Sequence, residues 1–306
     1  VYYLDRVPTP KLLVPAMQKI RPTVVLSVPL IIEKIYKSQV LPKFTSSKLM
    51  SKLYQFAPAR KLFNRLAGKK LMETFGGELK FFGIGGSKLD GTVEQFLREA
   101  KFPYAIGYGL TETAPMAAGS NPSQTFLQGV GPVMEGVQIK INDPDKSGQG
   151  EIWIKGPNVM KGYYKNPEAT RQVIDEEGWL HTGDIGTMNE DNTLFIKGRS
   201  KSMILSANGQ NIYPEEIESK LNNMSCVLES LVVERDGKLV ALVYPDYEQA
   251  DEAGISYSDI QRVMDENKEV LNTLVAPYEQ VTKIMLWPNE FEKTPKKSIK
   301  RFLYNR

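Results

Sequence analysis

Gly107-Tyr108-Gly109-Leu110-Thr111-Glu112-Thr113 follows the apolar, strand-like segment 102–106. Glycine lets a backbone approach a phosphate group closely because it has no Cβ. The Thr111 hydroxyl can donate to a phosphate oxygen, and a carboxylate such as that of Glu112 is the hard oxygen ligand that magnesium prefers. The same run also suits an ordinary turn at the end of a strand, so its interpretation depends on the segments around it.

The segments before this run predict a doubly wound α/β sheet. Two further strands are indicated, a β-branched run closed by Pro29 and an apolar run that enters Gly85-Gly86-Ser87. A capping box at 87–90 and helical spacing at 93–100 predict a helix between the last two strands. Residues 30–75 look mainly helical and are rich in Lys and Arg. Ligands bind such sheets at the carboxyl ends of the strands.

The segments after this run change character twice. From about residue 128, short strands separated by Gly and Pro predict a small barrel or sandwich. After Lys197–Lys201, a compact α+β unit is indicated by a helix opened by Pro214, a hairpin at Asp236-Gly237, a helix capped by Ser258 and a final strand at Val281–Trp287. We therefore predict the end of a large α/β domain at 1–127, a β-barrel-like subdomain at 128–198 and a mobile α+β domain at 199–306.

Composition limits the classes of function. The chain has 306 residues, a net charge of +3, one Cys and one His. This mild charge gives no reason to expect a nucleic-acid partner, although seven Lys and Arg against two Glu gather between Lys283 and Arg306. A single cysteine suits a reducing cytoplasm and excludes a cysteine-based metal cluster. No apolar stretch is long enough for a membrane span. The start at Val1, without Met, is interpreted as that of a fragment.

Four more clusters carry polar groups in glycine-rich surroundings. Residues 150–156 with Gly162-Tyr163-Tyr164 favour a structural strand and turn. Asp184, held between glycines, suits either the two ribose hydroxyls of a nucleotide or an Asx-type turn. Gly198-Arg199-Ser200-Lys201 offers a guanidinium for hydroxyl or phosphate oxygens and a pivot at Lys201. The polar loop from Ser206 either enters the helix opened by Pro214 or lines a channel.

In this order the motifs resemble those of the adenylate-forming superfamily, which comprises acyl-CoA synthetases, peptide-synthetase adenylation domains and luciferases. The resemblance extends from Gly85 to near the C-terminus. It rests on the following runs: Tyr108-Gly-Leu-Thr-Glu112, Gly150-Glu151, Thr182-Gly-Asp184, Gly198-Arg199 and Gly209 through Glu218. The long Lys-rich helical stretch before residues 75–82 looks most like that of long-chain fatty acyl-CoA synthetases.

The resemblance implies a two-step reaction. A carboxylate attacks the α-phosphorus of ATP to give an acyl-adenylate and pyrophosphate, and the thiol of coenzyme A then displaces AMP. It implies that Thr111 contacts the α-phosphate and that Glu112 holds Mg²⁺. The remaining ATP and AMP contacts fall on Gly85, Gly86, Ser87, Tyr108 (stacked on the base), Gly109, Asp184 and Arg199. Lys201 is the implied hinge, and Ser206 and Gly209 border the coenzyme A channel.

The chain departs from the family pattern at two places. The Ser/Thr/Gly-rich phosphate loop ending in Lys is absent, so we expect the fragment alone to adenylate poorly or not at all. The family tail, Thr-x-x-Gly-Lys-x-x-Arg, reads here Thr294-Pro-Lys-Lys-Ser-Ile-Lys-Arg301, which puts Ser298 in the place of the catalytic lysine. Lys297, one position away, is retained as the catalytic candidate, and Lys300 lies two positions away.

Other interpretations remain open. The chain also fits another carboxylate–CoA ligase, for an aryl or medium-chain acid. A nucleotide-binding remnant without turnover is the alternative outside enzymes. We expect a cytoplasmic protein with small-molecule substrates. Peripheral membrane contact, through the basic tail or the Lys-rich segment 34–70, and the oligomeric state stay open.

Overall fold

The computed structural model describes residues 10–45, 47–206, 208–294 and 298–304. The chain divides into two compact units. Unit 1 comprises Val1–Thr182 and Thr187–Ile196, and unit 2 comprises Gly183–Gly186 and Lys197–Arg306. The predicted three-domain division therefore stays a prediction, and each unit is described by itself.

Unit 1 contains a four-stranded sheet with the order β1-β2-β3-β4. Its strands are β1 (Val24–Ser27), β2 (Phe81–Ile84), β3 (Tyr104–Tyr108) and β4 (Ala118–Gly119). The first three run parallel, and β4 pairs antiparallel with the end of β3. Ile84 lies opposite Ile106, so β2 and β3 end side by side.

Along the chain, the helices of unit 1 lie before, between and after these strands. They are α1 (Pro10–Ile20), α2 (Pro29–Ile35), α3 (Leu41–Thr45), α4 (Lys48–Gln55), α5 (Ala57–Thr74), α6 (Gly91–Glu99) and α7 (Pro167–Val173), with a π-helical turn at Tyr36–Val40 between α2 and α3. The predicted capping box at Ser87 is wrong, because α6 begins later. The Asp90 carboxylate accepts from the backbone amides of Thr92 and Val93 and thereby caps the helix.

The core of the α/β part combines aromatic and aliphatic side chains. Its fully buried side chains include Phe82, Phe96 and Leu97, and Phe82 packs edge-on against Phe75 and Phe102. Burial of each such side chain contributes about 1.5–3 kcal/mol. This core fixes the relative positions of the ends of β2 and β3.

The predicted barrel-like segment forms a five-stranded sheet with the linear order β5-β9-β8-β7-β6. The strands are β5 (Gly131–Pro132), β6 (Gln138–Asn142), β7 (Gly150–Lys155), β8 (Leu180–Met188) and β9 (Thr193–Arg199). The mixed α/β class with several sheets is confirmed. The linear order of this sheet, with β5 and β6 at its edges, is that of an open sheet.

Unit 2 has a three-stranded sheet with the order β12-β13-β14 and a short hairpin of β10 and β11. Its elements are β10 (Ile204–Leu205), β11 (Asn211–Ile212), α8 (Pro214–Leu221), β12 (Val227–Arg235), β13 (Lys238–Pro245), α9 (Tyr247–Glu252), α10 (Ile260–Leu274) and β14 (Lys283–Leu286). The expected hairpin at Asp236-Gly237 joins β12 to β13. The predicted Ser258 cap is wrong, since Ser258 lies in a 3₁₀ turn before α10.

Across the described ranges, no helix is long and apolar enough to cross a bilayer.

Candidate active site

The ends of β2 and β3 bring two of the predicted segments to one edge of the sheet. Gly85-Gly86-Ser87 follows β2, and Gly107-Tyr108-Gly109 ends β3. A Cβ built on Gly85 would lie 3.4 Å from the carbonyl oxygen of Gly107, which shows how closely the two backbones approach. Gly86 and Ser87 are exposed at this edge. The structure thus brings together the unit 1 residues that the resemblance assigned to the nucleotide.

Gly109 is required by the turn that follows β3. A Cβ at this position would lie only 1.7 Å from the carbonyl oxygen of Pro115, so no other residue fits this backbone. The buried Thr113 hydroxyl accepts from the Leu110 amide at 2.8 Å and lies 3.1 Å from the Pro115 carbonyl oxygen, to which it can donate. Thr113 therefore fixes the turn and leaves Thr111, which is exposed, at its outer side.

Glu112 is held by a segment that lies about fifty residues further along the chain. Its backbone carbonyl accepts from the Met160 amide at 2.8 Å, and its Oε1 accepts from the Tyr163 hydroxyl at 2.9 Å. Asn158 Nδ2 donates to the Thr113 carbonyl oxygen at 3.2 Å and to that of Met116 at 2.7 Å. A separate loop, which contains Met160 and Tyr163, thus orients the Glu112 carboxylate.

The contact of Tyr163 with Glu112 was missed by the sequence interpretation. The Tyr163 amide donates to Thr170 Oγ1 at 2.9 Å, and Tyr163 follows Gly162, whose φ is +145°. Burial, the hydrogen bond to Glu112 and the charge of Glu112 raise the pKa of the Tyr163 phenol. The phenol therefore stays a donor to the carboxylate. No local pattern in the sequence pairs Tyr163 with Glu112, because the two residues are 51 positions apart.

Tyr108 ends β3, and Glu112, the predicted magnesium ligand, lies in the turn that follows. Tyr108 is half-buried and packs against the apolar cluster that contains Ala117, Ile152 and Ile154, so stacking on a base stays a prediction. Among the residues that the structure describes, no three His, Cys, Asp or Glu side chains gather into a metal site. Mg²⁺ commonly binds through one or two carboxylates together with substrate phosphates. A single oriented carboxylate at Glu112 fits that mode of binding.

Unit 2 holds the second group of predicted residues. Arg199 Nε lies 2.8 Å from Asp184 Oδ1, and the Asp184 side chain is 7% exposed while that of Arg199 is 53% exposed. Gly183, with φ +68°, makes the bend before Asp184. Lys201 is exposed within the 3₁₀ turn Ser200–Ser202 that follows β9. Asp184 and Arg199 therefore form an acceptor–donor pair, while the hinge role of Lys201 stays a prediction.

The predicted channel residues belong to the β10–β11 hairpin. Ser206 Oγ accepts from the Gln210 amide at 2.9 Å, which gives this hydroxyl a role in closing the turn. Gly209 is exposed, and its φ of +73° is the conformation that favours glycine. Their contact with a thiol substrate stays a prediction.

The C-terminal tail is anchored on both sides of the candidate lysine. Lys297 lies outside the described residues. The Thr294 amide donates to the Ser298 carbonyl oxygen at 2.8 Å, and Lys300 Nζ lies 3.2 Å from Glu292 Oε2. Arg301 donates to both carboxylate oxygens of Glu218, at 2.8 and 2.7 Å. The alternative lysine, Lys300, is thus engaged in an ion pair.

Comparison with known proteins decides the family. The model of the AMP-binding enzyme family matches residues 1–164, more than half of the chain. The chain belongs to the AMP-binding enzyme family. The predicted membership of the adenylate-forming superfamily is confirmed, and so is the resemblance to long-chain acyl-CoA synthetases.

Curated relatives support this assignment over most of the chain. Human long-chain-fatty-acid–CoA ligase 1 is 31% identical over an alignment of 317 positions, which covers 92% of this chain and 45% of the human enzyme. The chloroplastic long-chain-fatty-acid–[acyl-carrier-protein] ligase AEE15 of Arabidopsis thaliana is 33% identical over 252 residues, 76% of this chain and 32% of that enzyme. The chain therefore spans less than half the length of these relatives.

Solved structures show the same fold. The o-succinylbenzoate coenzyme A synthetase of Bacillus subtilis in complex with AMP superposes with a TM-score of 0.69 at 21% identity, covering 97% of this chain and 54% of that one. ATP-bound MatB from Rhodopseudomonas palustris gives a TM-score of 0.67 at 23% identity, over 99% of this chain and 54% of that one.

Proposed function

We propose that this chain supplies the nucleotide-binding and thioester-forming parts of a long-chain fatty acyl-CoA ligase. The observation that carries the proposal is the Glu112 carboxylate, which stands at the end of a parallel strand and is oriented by the Tyr163 hydroxyl at 2.9 Å. The identity of 30–33% to long-chain acyl ligases supports a fatty acid as the substrate.

The first half-reaction needs the acid and ATP to be held in line. The acid carboxylate forms a bond to the α-phosphorus, and the bond from this phosphorus to the bridging oxygen breaks, which releases pyrophosphate. Thr111 donates to the α-phosphate, and Glu112 would hold Mg²⁺, whose charge would stabilise the phosphate oxygens. Asp184 accepts from the ribose hydroxyls while Arg199 fixes its orientation. Catalysis is then positioning and charge stabilisation, without a covalent enzyme intermediate.

The second half-reaction transfers the acyl group to a thiol. The thiol loses its proton, its sulfur bonds to the acyl carbonyl carbon, and AMP leaves with the electrons of the C–O bond. The likeness to AEE15 makes the thiol of an acyl-carrier protein a second candidate acceptor beside coenzyme A. Lys201 is the proposed hinge between the two half-reactions.

The test uses the complete protein that carries this sequence. Palmitate-dependent pyrophosphate release is measured with ATP and Mg²⁺, and thioester formation is followed with coenzyme A or acyl-carrier protein as the acceptor. We expect the rate of pyrophosphate release to fall at least about 100-fold in Glu112→Ala, because the metal-binding carboxylate is lost. Glu135→Ala, at an exposed glutamate of unit 1 with no proposed metal contact, is the control.

The substrate class is tested in the same assay. Pyrophosphate release with palmitate above that with benzoate or octanoate supports the long-chain proposal. Preference for benzoate or octanoate would assign an aryl or medium-chain acid. Nucleotide binding without release for any acid would indicate a remnant that binds but does not react.

A further inference from the structure

The α4–α5 surface, defined here as the outward side chains of α4, α5 and the Phe56 junction between them, exposes large apolar groups. Their exposed fractions are 69% for Leu49, 40% for Leu53, 64% for Phe56, 58% for Leu62 and 55% for Leu66. Leu49 and Leu53 are four residues apart, as are Leu62 and Leu66, so each pair shares one helix face. Extended apolar patches on soluble proteins mark sites that bind a protein or a membrane.

The charges beside these apolar groups are almost all positive. Residues 34–74 contain ten Lys and Arg and one acid, Glu73, in the last turn of α5. Lys52, Lys61, Arg65, Lys69 and Lys70 are exposed on the same two helices. A long lysine side chain can lay its methylene groups along apolar material and keep its ammonium in water.

A cleft at the side of α5 extends this positive charge. Lys61 and Arg65 line a cleft of about 280 Å³ together with Arg98 and Lys101 from the end of α6. The acid in this cleft, Glu99, is neutralised because Arg60 donates to both its oxygens, at 2.9 and 3.1 Å. The cleft therefore presents cations to an incoming partner.

A second, apolar groove opens beside Leu66. Val40, Phe44, Phe63 and Leu71 line its interior, with Leu66 also in its wall, and its volume is about 210 Å³. The lysines of this groove are Lys43 and Lys70, and both are exposed. Apolar walls beside surface ammonium groups suit a molecule with an acyl chain and an anionic head.

We propose that the α4–α5 surface docks onto an anionic phospholipid bilayer and lies in its interface. Exposed leucines beside lysines, with Glu73 in the last turn of α5 as the one acid of the two helices, match an apolar interior covered by negative headgroups. The 18 residues of α5 extend for about 27 Å, enough to lie along such a surface. The inference concerns location only and stands whether or not the acid is a long-chain one.

Vesicle flotation with the complete protein tests this proposal. The vesicles are phosphatidylcholine alone or phosphatidylcholine with 30% phosphatidylglycerol, at 0.1 and 0.5 M NaCl. We expect binding to the anionic vesicles that is at least about tenfold tighter than to the neutral ones. It should weaken at high salt, because salt screens exposed charges.

Two variants separate the apolar from the charged contribution. Leu62→Ser with Leu66→Ser should weaken binding about tenfold, and Lys61→Glu with Arg65→Glu about 20-fold or more, since each basic group contributes about fivefold. Val270→Ser with Leu274→Ser, each 54% exposed on α10, is the apolar control. Lys146→Glu with Lys238→Glu changes the net charge equally and is the charge control. Circular dichroism melting confirms that each variant folds.

The outcomes distinguish an anionic bilayer from a second copy of the chain as the partner of the α4–α5 surface. Salt-sensitive binding to anionic vesicles that the two α4–α5 variants lose and the two controls keep would support the proposal. Equal binding to neutral and anionic vesicles, or equal loss in variants and controls, would overturn it. Absence of vesicle binding together with a dimer in light scattering that Leu62→Ser with Leu66→Ser dissociates would assign the surface to a second copy of the chain instead.

Discussion

The Tyr163 hydroxyl donates to the Glu112 carboxylate at 2.9 Å and so joins two parts of the chain that are 51 residues apart in sequence. The carboxylate reaches this position because Gly109 and Thr113 turn the chain after β3. Tyr163 reaches it because Gly162 bends the backbone and Thr170 accepts from the Tyr163 amide. Two separate backbone turns thus converge on one carboxylate.

Tyr163→Phe removes this hydrogen bond and keeps the ring. A hydrogen bond to a charged group contributes about 1.5–3 kcal/mol when buried, and partial exposure reduces this, so we expect kcat/KM for pyrophosphate release to fall about five- to tenfold. Tyr164→Phe is the control, because Tyr164 is 88% exposed. An equal effect of both substitutions would show that Tyr163 does not orient Glu112.

Gly109→Ala should lower the stability of unit 1 by several kcal/mol, because the new Cβ meets the Pro115 carbonyl oxygen at 1.7 Å and the backbone must move. The measurement is the free energy of unfolding in urea. Gly91→Ala is the control, since a Cβ there lies 3.4 Å from Gln128 and the position begins α6. Unchanged stability of Gly109→Ala would contradict the backbone geometry described for this turn.

Asp184→Asn should weaken AMP binding about 10- to 100-fold if this carboxylate accepts from the ribose hydroxyls. Isothermal titration with AMP measures the affinity. Asp175→Asn is the control, because Asp175 pairs with His181 at 3.2 Å and has no proposed contact with nucleotide. AMP affinity that is the same in Asp184→Asn as in the wild type would remove Asp184 from the proposed site.

Arg301→Gln should destabilise unit 2 by roughly 3–5 kcal/mol, because it leaves the buried Glu218 carboxylate without its partner. Arg262→Gln, which breaks the exposed pair of Arg262 with Glu266 at 2.8 Å, should cost less than about 0.5 kcal/mol. Denaturant unfolding monitored on unit 2 compares the two. Similar small losses would mean that the tail is not anchored by this pair.

Glu99 makes stability depend on pH in the acid range. Burial raises its pKa, but the hydrogen bonds from Arg60, Gln95 and Asn64 outweigh burial and hold the pKa below its usual 4.5. A lowered folded-state pKa gives stability that is present above pH 4.5 and lost as the pH falls through the folded-state value. The difference in unfolding free energy between wild type and Glu99→Gln should therefore be constant from pH 6 to 7 and shrink below 4.5. A difference that grows on acidification would contradict this sign.

Local patterns predicted much of the fold and part of the candidate site. The strand ending at Tyr108, the helix opened by Pro214 and the hairpin at Asp236-Gly237 follow from apolar runs bounded by Gly and Pro. The family motifs placed Thr111, Glu112 and Asp184 in the sequence. These features depend on neighbours within a few residues, which a pattern can record.

The remaining features depend on contacts that are distant in sequence. The contact of Tyr163 with Glu112 was missed because the two residues lie on different loops, and nothing within residues 150–164 marks Tyr163 as a donor to Glu112. Asp90 caps α6 in place of Ser87. Both side chains are suitable acceptors near the start of the helix, and the path of the backbone decides which of them caps it. The pattern of short strands at residues 128–198 predicted a barrel-like subdomain, whereas the strands form a sheet with a linear order. Strand periodicity gives no information on whether a sheet closes.

The three tryptophans give this protein intrinsic optical reporters. Trp153 lies with its ring centroid 3.7 Å from that of His181, and Lys140 Nζ lies 4.5 Å from the Trp153 ring and 4.3 Å from the Trp179 ring. The third tryptophan, Trp287, packs against Tyr304 in unit 2. With Trp153→Phe and Trp179→Phe together, Trp287 in unit 2 is the tryptophan that still emits. With Trp287→Phe, the emission comes from the two tryptophans of unit 1. The unfolding of each unit can then be followed separately without an attached dye.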